Sequence, residues 1–121
     1  MNLKDFQSYC DSLPGAFGDF PFDDKTLVYK VCGKMFTLSN FNDFKSISLK
    51  CDPEDALMYR EIYEAVIPGY HLNKQHWNTI NLDGSIPEET LKMWIKDSYD
   101  LVVEKLTKKQ RHSLGNTSAE N

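Results

Sequence analysis

The chain has 121 residues and carries 14 lysines and arginines against 18 aspartates and glutamates, a formal net charge of −4. Forty per cent of the residues are hydrophobic and 26% are charged, which is ordinary for one globular domain. No apolar stretch approaches the ~20 residues of a membrane-spanning helix, the N-terminus lacks a signal-peptide layout, and the three cysteines form no Cys-x-x-Cys pair. We therefore expect a cytoplasmic protein with reduced thiols, no metal site, no cofactor and no membrane association.

The first 51 residues predict one helix followed by an antiparallel meander. Asn2 is a suitable N-cap for a helix whose apolar residues recur at three- and four-residue spacing until Pro14-Gly15. Phenylalanines at positions 17, 20 and 22 can form a short edge strand. A tight turn at Gly33-Lys34 then joins two alternating strands into a hairpin. These two strands and a third are predicted over residues 27–32, 35–39 and 45–51.

Two further helices and one strand are predicted in the second half of the chain. Asp52-Pro53 is a strong helix start, and this helix is expected to run to about residue 66 before Pro68-Gly69 ends it. A strand over residues 77–82 precedes a capping box of Ser85 and Glu88, which opens the last helix. The second helix is expected to bury Leu57, Met58, Ile62 and Ala65, and the last helix Leu91, Trp94, Ile95, Val102 and Leu106.

This order predicts an α+β fold in which three helices pack on one face of an antiparallel sheet. Residues 1–111 form the single domain, and the polar segment 112–121 is expected to be a disordered tail. Strand alternation leaves the second sheet face exposed, and its hydroxyl-rich composition suits phosphate contacts as well as it suits any solvated sheet. The residues assigned to that face are Lys30, Thr37, Ser39, Ser46, Ser48, Lys50, Trp77 and Thr79.

Positive charge is concentrated in the predicted strands. Residues 25–51 and 65–82 hold six lysines and one acid, Asp43, whereas the remainder of the chain holds eight basic and seventeen acidic residues. One face of an acidic protein is therefore expected to be locally basic. Strands also avoid Asp and Glu for reasons of propensity alone, so the pattern has a purely structural interpretation as well.

The stretch from residue 68 to residue 78 places His71, Lys74, His76 and Trp77 between a Pro-Gly turn and a strand, without one carboxylate. Such a segment can bind an anion, stack on a base, or pack between sheet and helix. We expect Asn78 to be buried and structural, and Lys74 to be exposed. The two histidines are five residues apart and lack the helical spacing that directs two imidazoles to one metal, so no metal site is indicated. A lone histidine such as His71 is more often structural than a general base.

Four sequence blocks occur in one order across the chain: residues 31–36 (VCGKMF), 48–54 (SLKCDPE), 69–74 (GYHLNK) with 76–78 (HWN), and 98–102 (SYDLV). Together they resemble the signature blocks of the MmcQ/YjbR-like family, over about residues 3–111. The resemblance implies a bacterial protein with a CyaY/frataxin-like fold in the order α-β(4)-α-β-α. It also implies DNA binding through a double-wing motif of two β-hairpins. Iron binding is not carried over, because the first helix and adjoining strand lack a carboxylate-rich ridge.

The favoured hypothesis is a non-enzymatic binding module whose partner is DNA. A monomer is the favoured oligomeric state. The alternative is a regulatory domain that binds a protein or a small ligand in the cleft beside residues 70–78, with no nucleic-acid binding. A weak enzyme with His71 or His76 as base is a third, less favoured interpretation. The candidate anion-binding residues are Lys30, Lys34, Lys50, His71, Lys74, His76, Trp77 and Asn78.

Overall fold

The computed structural model describes residues 1–70 and 72–115, which form a six-stranded antiparallel sheet and four helices. The strand order is β1-β2-β3-β4-β6-β5, so the predicted α+β fold is confirmed, with β5 and α4 added to the expected order. None of the helices within these residues is long and apolar enough to cross a membrane. The elements are α1 (Leu3–Ser12), β1 (Ala16–Asp19), β2 (Thr26–Val31), β3 (Lys34–Asn40), β4 (Ser46–Lys50), α2 (Pro53–Ile62), β5 (Val66–Pro68), β6 (Trp77–Asn81), α3 (Glu88–Glu104) and α4 (Lys108–Gly115).

Local sequence signals account for the start of the fold. The Asn2 side chain accepts a hydrogen bond from the Asp5 amide at 2.8 Å, which confirms the predicted N-cap of α1. The turn between β2 and β3 consists of Cys32 at φ 49° and Gly33 at φ 79°, the two left-handed residues that a two-residue hairpin turn requires. The turn therefore lies one residue earlier than predicted, and Lys34 becomes the first residue of β3.

An aromatic core joins α1, the sheet and α3. Phe6 of α1 meets Tyr29 of β2 edge to face, with 5.9 Å between ring centroids. Phe36 of β3 meets Tyr99 of α3 in the same way at 5.3 Å. The predicted core residues of the last helix are all buried, as are Ile47 and Leu49 of β4.

A bulge at Phe36 changes which side chains of β3 lie on each face of the sheet. Tyr29 pairs with Thr37, whereas Lys30 pairs with Met35, so Phe36 is an extra residue in its strand. Thr37 consequently lies opposite Leu49 on the helix side of the sheet. The assignment of Thr37 and Ser39 to the exposed face is therefore wrong, and both side chains are buried.

Two of the hydroxyl groups that do lie on the other sheet face are also withdrawn from solvent, while Ser46 is half-buried. Ser48 and Thr79 are buried and hydrogen-bond to each other at 2.9 Å. Thr79 additionally accepts a hydrogen bond from the Tyr70 amide at 3.1 Å. Cross-strand pairing thus explains these residues, and this face is not the solvated, hydroxyl-rich surface that strand alternation predicts.

Helix α2 ends at Ile62 and presents a different face to the core from the one predicted. Leu57 and Ile62 are 59% and 61% exposed, and Met58 is exposed as well, so their predicted burial is wrong. The inward stripe instead contains the small residue Ala56, which is fully buried, and Tyr59 one turn later. Ala56 allows the helix backbone to approach β6 closely enough to accept a side-chain hydrogen bond.

Helix α3 starts without the predicted capping box. Ser85 instead donates its backbone amide, at 2.9 Å, to the Asp83 carboxylate, forming a local turn before Pro87 at the N-cap position. Ser98, in the middle of the helix, is fully buried. Its hydroxyl accepts from the Lys50 amide at 2.8 Å and donates to the Phe36 carbonyl oxygen, so one side chain joins α3 to both β3 and β4.

A capping box does open α4. The Thr107 hydroxyl accepts from the Gln110 amide at 3.1 Å, and the Gln110 side chain accepts from the Thr107 amide at 3.0 Å. The first four residues of segment 112–121 are therefore helical. Residues 116–121 lie outside the described residues.

We expect Ser98→Ala to lower the free energy of unfolding by about 1–3 kcal/mol, because the part-buried Lys50 amide loses its acceptor. Urea denaturation followed by circular dichroism measures this change. Ser8→Ala, at an exposed position of α1, is the matched control and should leave stability nearly unchanged. Equal stability of the two variants would contradict the bridging role of Ser98.

Candidate functional site

Several predicted anion-binding residues lie at one end of the sheet. Because neighbouring strands are antiparallel, the start of β3 at Lys34, the end of β4 at Lys50 and the start of β6 at Trp77 share that end. Strands β3 and β6 are themselves two strand spacings apart, about 10 Å across the sheet. Lys30 lies near the same end of β2, on the face opposite the helices, and is half-buried.

Trp77 and Asn78 belong to the framework and not to an exposed surface. Trp77 is 6% exposed, and a side chain at Gly69 would place its Cβ 2.7 Å from the Trp77 Cβ. Asn78 is 3% exposed; it accepts from Arg60 Nε at 2.7 Å and donates to the Ala56 carbonyl oxygen at 3.2 Å. The structural role expected for Asn78 is confirmed, and the prediction that these two residues form a binding surface is wrong.

The loop between β5 and β6 carries the remaining candidates. Lys74 is exposed, as expected, and its Nζ donates to the Gly69 carbonyl oxygen at 3.0 Å. His76 is half-buried, and its carbonyl oxygen accepts from the Cys51 amide at 2.8 Å. His71 lies outside the described residues. The loop therefore positions Lys74 mainly through backbone contacts, while a side-chain role of His76 stays a prediction.

A group of cations that the sequence reasoning did not single out lies beside the β2–β3 turn. Helix α4 approaches this turn, since Cys32 Sγ is 4.0 Å from the Gln110 carbonyl oxygen. On the other side, a Cβ at Gly15 would lie 2.3 Å from Leu114 Cδ2, so Leu114 packs directly on that glycine. We call the exposed cations gathered by this docking the basic end: Lys34, Lys105, Lys108, Lys109 and Arg111.

The basic end has little local neutralisation. Among the described residues, none of its five cations forms an ion pair within 4 Å. The Arg111 guanidinium donates to the Glu104 backbone carbonyl oxygen at 3.0 Å, which orients the group without cancelling its charge. The Thr107-x-x-Gln110 capping box was the sequence signal for α4, because this pattern marks a helix start even where the helix is polar.

A cavity of about 230 Å³ lies between α2 and α3, over β4 and β6. Its lining includes the buried Leu49 and Ile80 from the sheet, with Trp94 and Tyr59 from the two helices. The Tyr59 and Trp94 ring centroids are 4.9 Å apart. We call this space the acidic cavity, because its lining contains five acidic residues against one basic residue, Lys50; the acidic residues are Asp52, Asp55, Asp97, Asp100 and Glu104.

Burial and mutual repulsion perturb the titration of groups in the acidic cavity. Desolvation, followed by the charges of Asp55, Asp52 and Asp97, raises the pKa of the Cys51 thiol to about 11. Desolvation and the neighbouring Asp100 raise the pKa of Asp97 above its ordinary value, with a smaller contribution from Asp55. Asp97 of α3 thus affects the pKa of Cys51, just before α2, and Asp55 of α2 affects the pKa of Asp97. The carboxylates of both helices therefore contribute to the potential in one cavity.

Two residue patterns in the sequence correspond to this cavity, but they can be interpreted only once the arrangement of α2 and α3 is known. Asp52, Asp55 and Tyr59 follow one side of α2 at three- and four-residue spacing. Trp94, Asp97 and Glu104 follow one side of α3 in the same manner, with Leu101 between the last two. Each stripe by itself is an ordinary polar helix flank, and the site exists because the two flanks face each other.

In the two described stretches, no three side chains of the His, Cys, Asp and Glu types are arranged so that they could hold a metal ion. The cleft expected beside residues 70–78 stays a prediction; among the described residues of that segment, Asn78 lines the acidic cavity.

The chain matches the family model described as YjbR over residues 11–101. It is 39% identical over 93 residues to the uncharacterized protein YbdF of Escherichia coli O157:H7, covering 76% of each chain. It is 33% identical over 115 residues to the uncharacterized protein YjbR of Escherichia coli K12, covering 94% of this chain and 98% of that protein. The matched range thus includes all six strands, α2 and the greater part of α3.

Solved structures share the fold. A Deinococcus radiodurans protein with a DUF419 domain superposes with a TM-score of 0.87 at 43% identity, covering 94% of this chain and 88% of that one. A Pseudomonas syringae protein superposes with a TM-score of 0.71 at 26% identity, covering 84% of this chain and 98% of that one. The six-stranded arrangement is therefore found in related bacterial proteins.

We expect Asn78→Ala to destabilise the protein by about 1–3 kcal/mol, because the Arg60 side chain loses a buried acceptor. Thermal and urea denaturation measure the effect. Asn81→Ala removes an exposed side chain from the same strand and serves as the control, with little change expected. Unchanged stability of Asn78→Ala would show that the bonds to α2 do not hold the strand in place.

We expect Asp97→Asn to raise the melting temperature at pH 7. Folding raises the pKa of the Asp97 carboxyl group, so binding of a proton there stabilises the native state at low pH. This stabilisation is lost as the pH rises from the ordinary pKa of the group through the raised pKa of the native state. The gain should therefore disappear when the melt is repeated near pH 3, where the carboxyl is protonated in both states. Asp24→Asn, in the exposed loop before β2, is the control; an equal gain there would point to net charge alone.

Proposed function

This chain belongs to the YjbR family, and we propose that it is a non-enzymatic nucleic-acid-binding protein whose contact surface is the basic end. One observation carries the proposal: α4, which has three lysine and arginine residues and no acid, docks against the hairpin turn that precedes Lys34. A rigid helix beside a hairpin tip resembles the winged surfaces with which proteins follow a nucleic-acid backbone. The β2–β3 hairpin supplies one wing, and α4 takes the place of a second.

The charges of the basic end suit phosphate recognition. Each lysine that neutralises a phosphate releases condensed counterions, so affinity follows the number of unpaired cations that can reach the backbone. The five cations of the basic end are exposed and form no ion pair within 4 Å among the described residues. Lys30 and Lys74 lie toward the same end of the sheet and can extend the contact.

Lys50 is excluded from this surface by its surroundings. It is one of the residues around the acidic cavity, and the negative potential of the five acidic residues there disfavours a phosphate at this position. Among the eight candidates predicted from sequence, we retain Lys30, Lys34 and Lys74 for nucleic-acid contact, while the roles of His71 and His76 stay predictions.

The proposal that the protein is not an enzyme rests on its poorly activated nucleophiles. Burial raises the pKa of Cys10, and the pKa of Cys51 is raised to about 11, so both thiols are protonated at neutral pH. The three cysteines are unpaired, which also supports the proposed cytoplasmic location.

We expect the double variant Lys108→Glu with Lys109→Glu to weaken binding of a 20-base-pair duplex at least about tenfold at low salt, because two phosphate contacts become repulsive. The plot of log affinity against log salt should lose about 2 from its slope. Fluorescence anisotropy with duplexes of two unrelated sequences measures both quantities, and the loss should be the same for each.

The matched control is Lys4→Glu with Lys25→Glu, which changes the net charge equally at exposed positions of α1 and the loop before β2. It should retain most of the wild-type affinity, as should Lys50→Glu. Equal losses in all three variants would indicate a general charge effect and contradict the assignment of the basic end. Absence of binding by the wild type at about 50 mM salt would overturn nucleic-acid binding itself.

A further inference from the structure

The acidic cavity is a formed pocket and more than a group of surface carboxylates. Its floor is the buried apolar surface of Leu49, Val66 and Ile80, and its side is the Tyr59–Trp94 ring pair. A volume of about 230 Å³ accommodates a short aliphatic molecule and not a drug-sized one. Apolar and aromatic walls of this kind bind the hydrocarbon part of a ligand.

The charges around the cavity determine the charge of the ligand. Lys96 pairs with Asp100 at 2.7 Å, whereas the other four carboxylates form no ion pair within 4 Å among the described residues. These are Asp52 and Asp55 from the start of α2, and Asp97 and Glu104 from α3. An anion would meet repulsion from both helices, while a cation would be attracted by both and could also contact the faces of the aromatic rings.

We propose that the acidic cavity binds a small aliphatic amine or diamine, with the hydrocarbon chain against the sheet and rings and an ammonium group among the carboxylates of α2 and α3. The lack of a three-ligand arrangement in the described residues disfavours a bare metal ion at this place, since a divalent cation needs closely convergent oxygens. An ammonium group has three diverging donors and can bridge carboxylates that are farther apart. This inference is independent of nucleic-acid binding, because it uses no residue of the basic end.

The test is a titration of the full chain with 1,4-diaminobutane, followed by calorimetry and by amide chemical shifts. Saturable one-site binding is expected, with shifts confined to the segments that line the cavity, residues 49–59, 66, 78–80 and 94–104. Asp55→Asn with Asp97→Asn should weaken binding about tenfold or more, since two charge-assisted contacts are lost. Asp24→Asn with Glu64→Gln gives the same charge change at exposed positions and should weaken it by less than about twofold.

A second variant separates a pocket from a merely negative surface. Leu101 is half-buried and lines the cavity, so Leu101→Trp should fill the space and abolish binding without changing any charge. Leu101→Phe is the milder substitution if the tryptophan variant does not fold. Butyrate, with a chain of the same length and a negative charge, should not bind to the wild type.

Four results would overturn the proposal. The first is binding that survives the filling of the cavity, and the second is an equal loss of affinity in the Asp24/Glu64 control. The third is displacement of the diamine by equimolar Mg²⁺, which would indicate nonspecific cation attraction. The fourth is binding of a lysine-containing peptide without any binding of the diamine, which would assign the cavity to a protein partner. Any of these leaves the anisotropy experiment on the basic end unaffected.

Discussion

The buried hydroxyl of Ser98 is the contact on which the arrangement of both candidate regions depends. It accepts from the Lys50 amide and donates to the Phe36 carbonyl oxygen, and thereby fixes the middle of α3 over β3 and β4. One flank of α3 then lines the acidic cavity, and its C-terminal end leads directly into α4 and the basic end. A polar group with both bonds satisfied specifies one position for the helix, which apolar packing alone would define less strictly.

The parts of the fold that sequence predicted well are those in which a local pattern and the final environment agree. The alternation of β2, the inward residues of β4 and the stripe of α3 could be predicted because, in each element, one periodic set of apolar residues belongs to the main hydrophobic core. The bulge at Phe36 could not be predicted from the sequence, because a residue of β3 is recognised as extra only when the pairing of β3 with β2 is known. For this reason the face of Thr37 and Ser39 was assigned incorrectly.

Helix α2 shows a second reason why the sequence did not predict part of the fold. Hydrophobicity predicted that Leu57, Met58 and Ile62 would be buried, but all three are exposed. The orientation is decided by Asn78 and Arg60, whose hydrogen bonds require the Ala56 side of the helix to face β6. A buried donor or acceptor without a partner costs more than an exposed aliphatic side chain, so the polar contact prevails over the apolar pattern. The same orientation turns Tyr59 toward Trp94 and so creates one wall of the cavity.

Helix α3 connects the acidic region of the protein to the basic region. Carboxylates follow the side of α3 that faces α2, while the residues just beyond its end are basic. Glu104 lies at the transition, since it lines the cavity and its backbone carbonyl oxygen accepts from Arg111. At about 0.15 M salt, exposed charges are screened over ~8 Å, so a ligand or a nucleic acid encounters the local potential and not the net charge of −4. An overall acidic composition is therefore compatible with one anion-binding surface and one cation-binding cavity on the same domain.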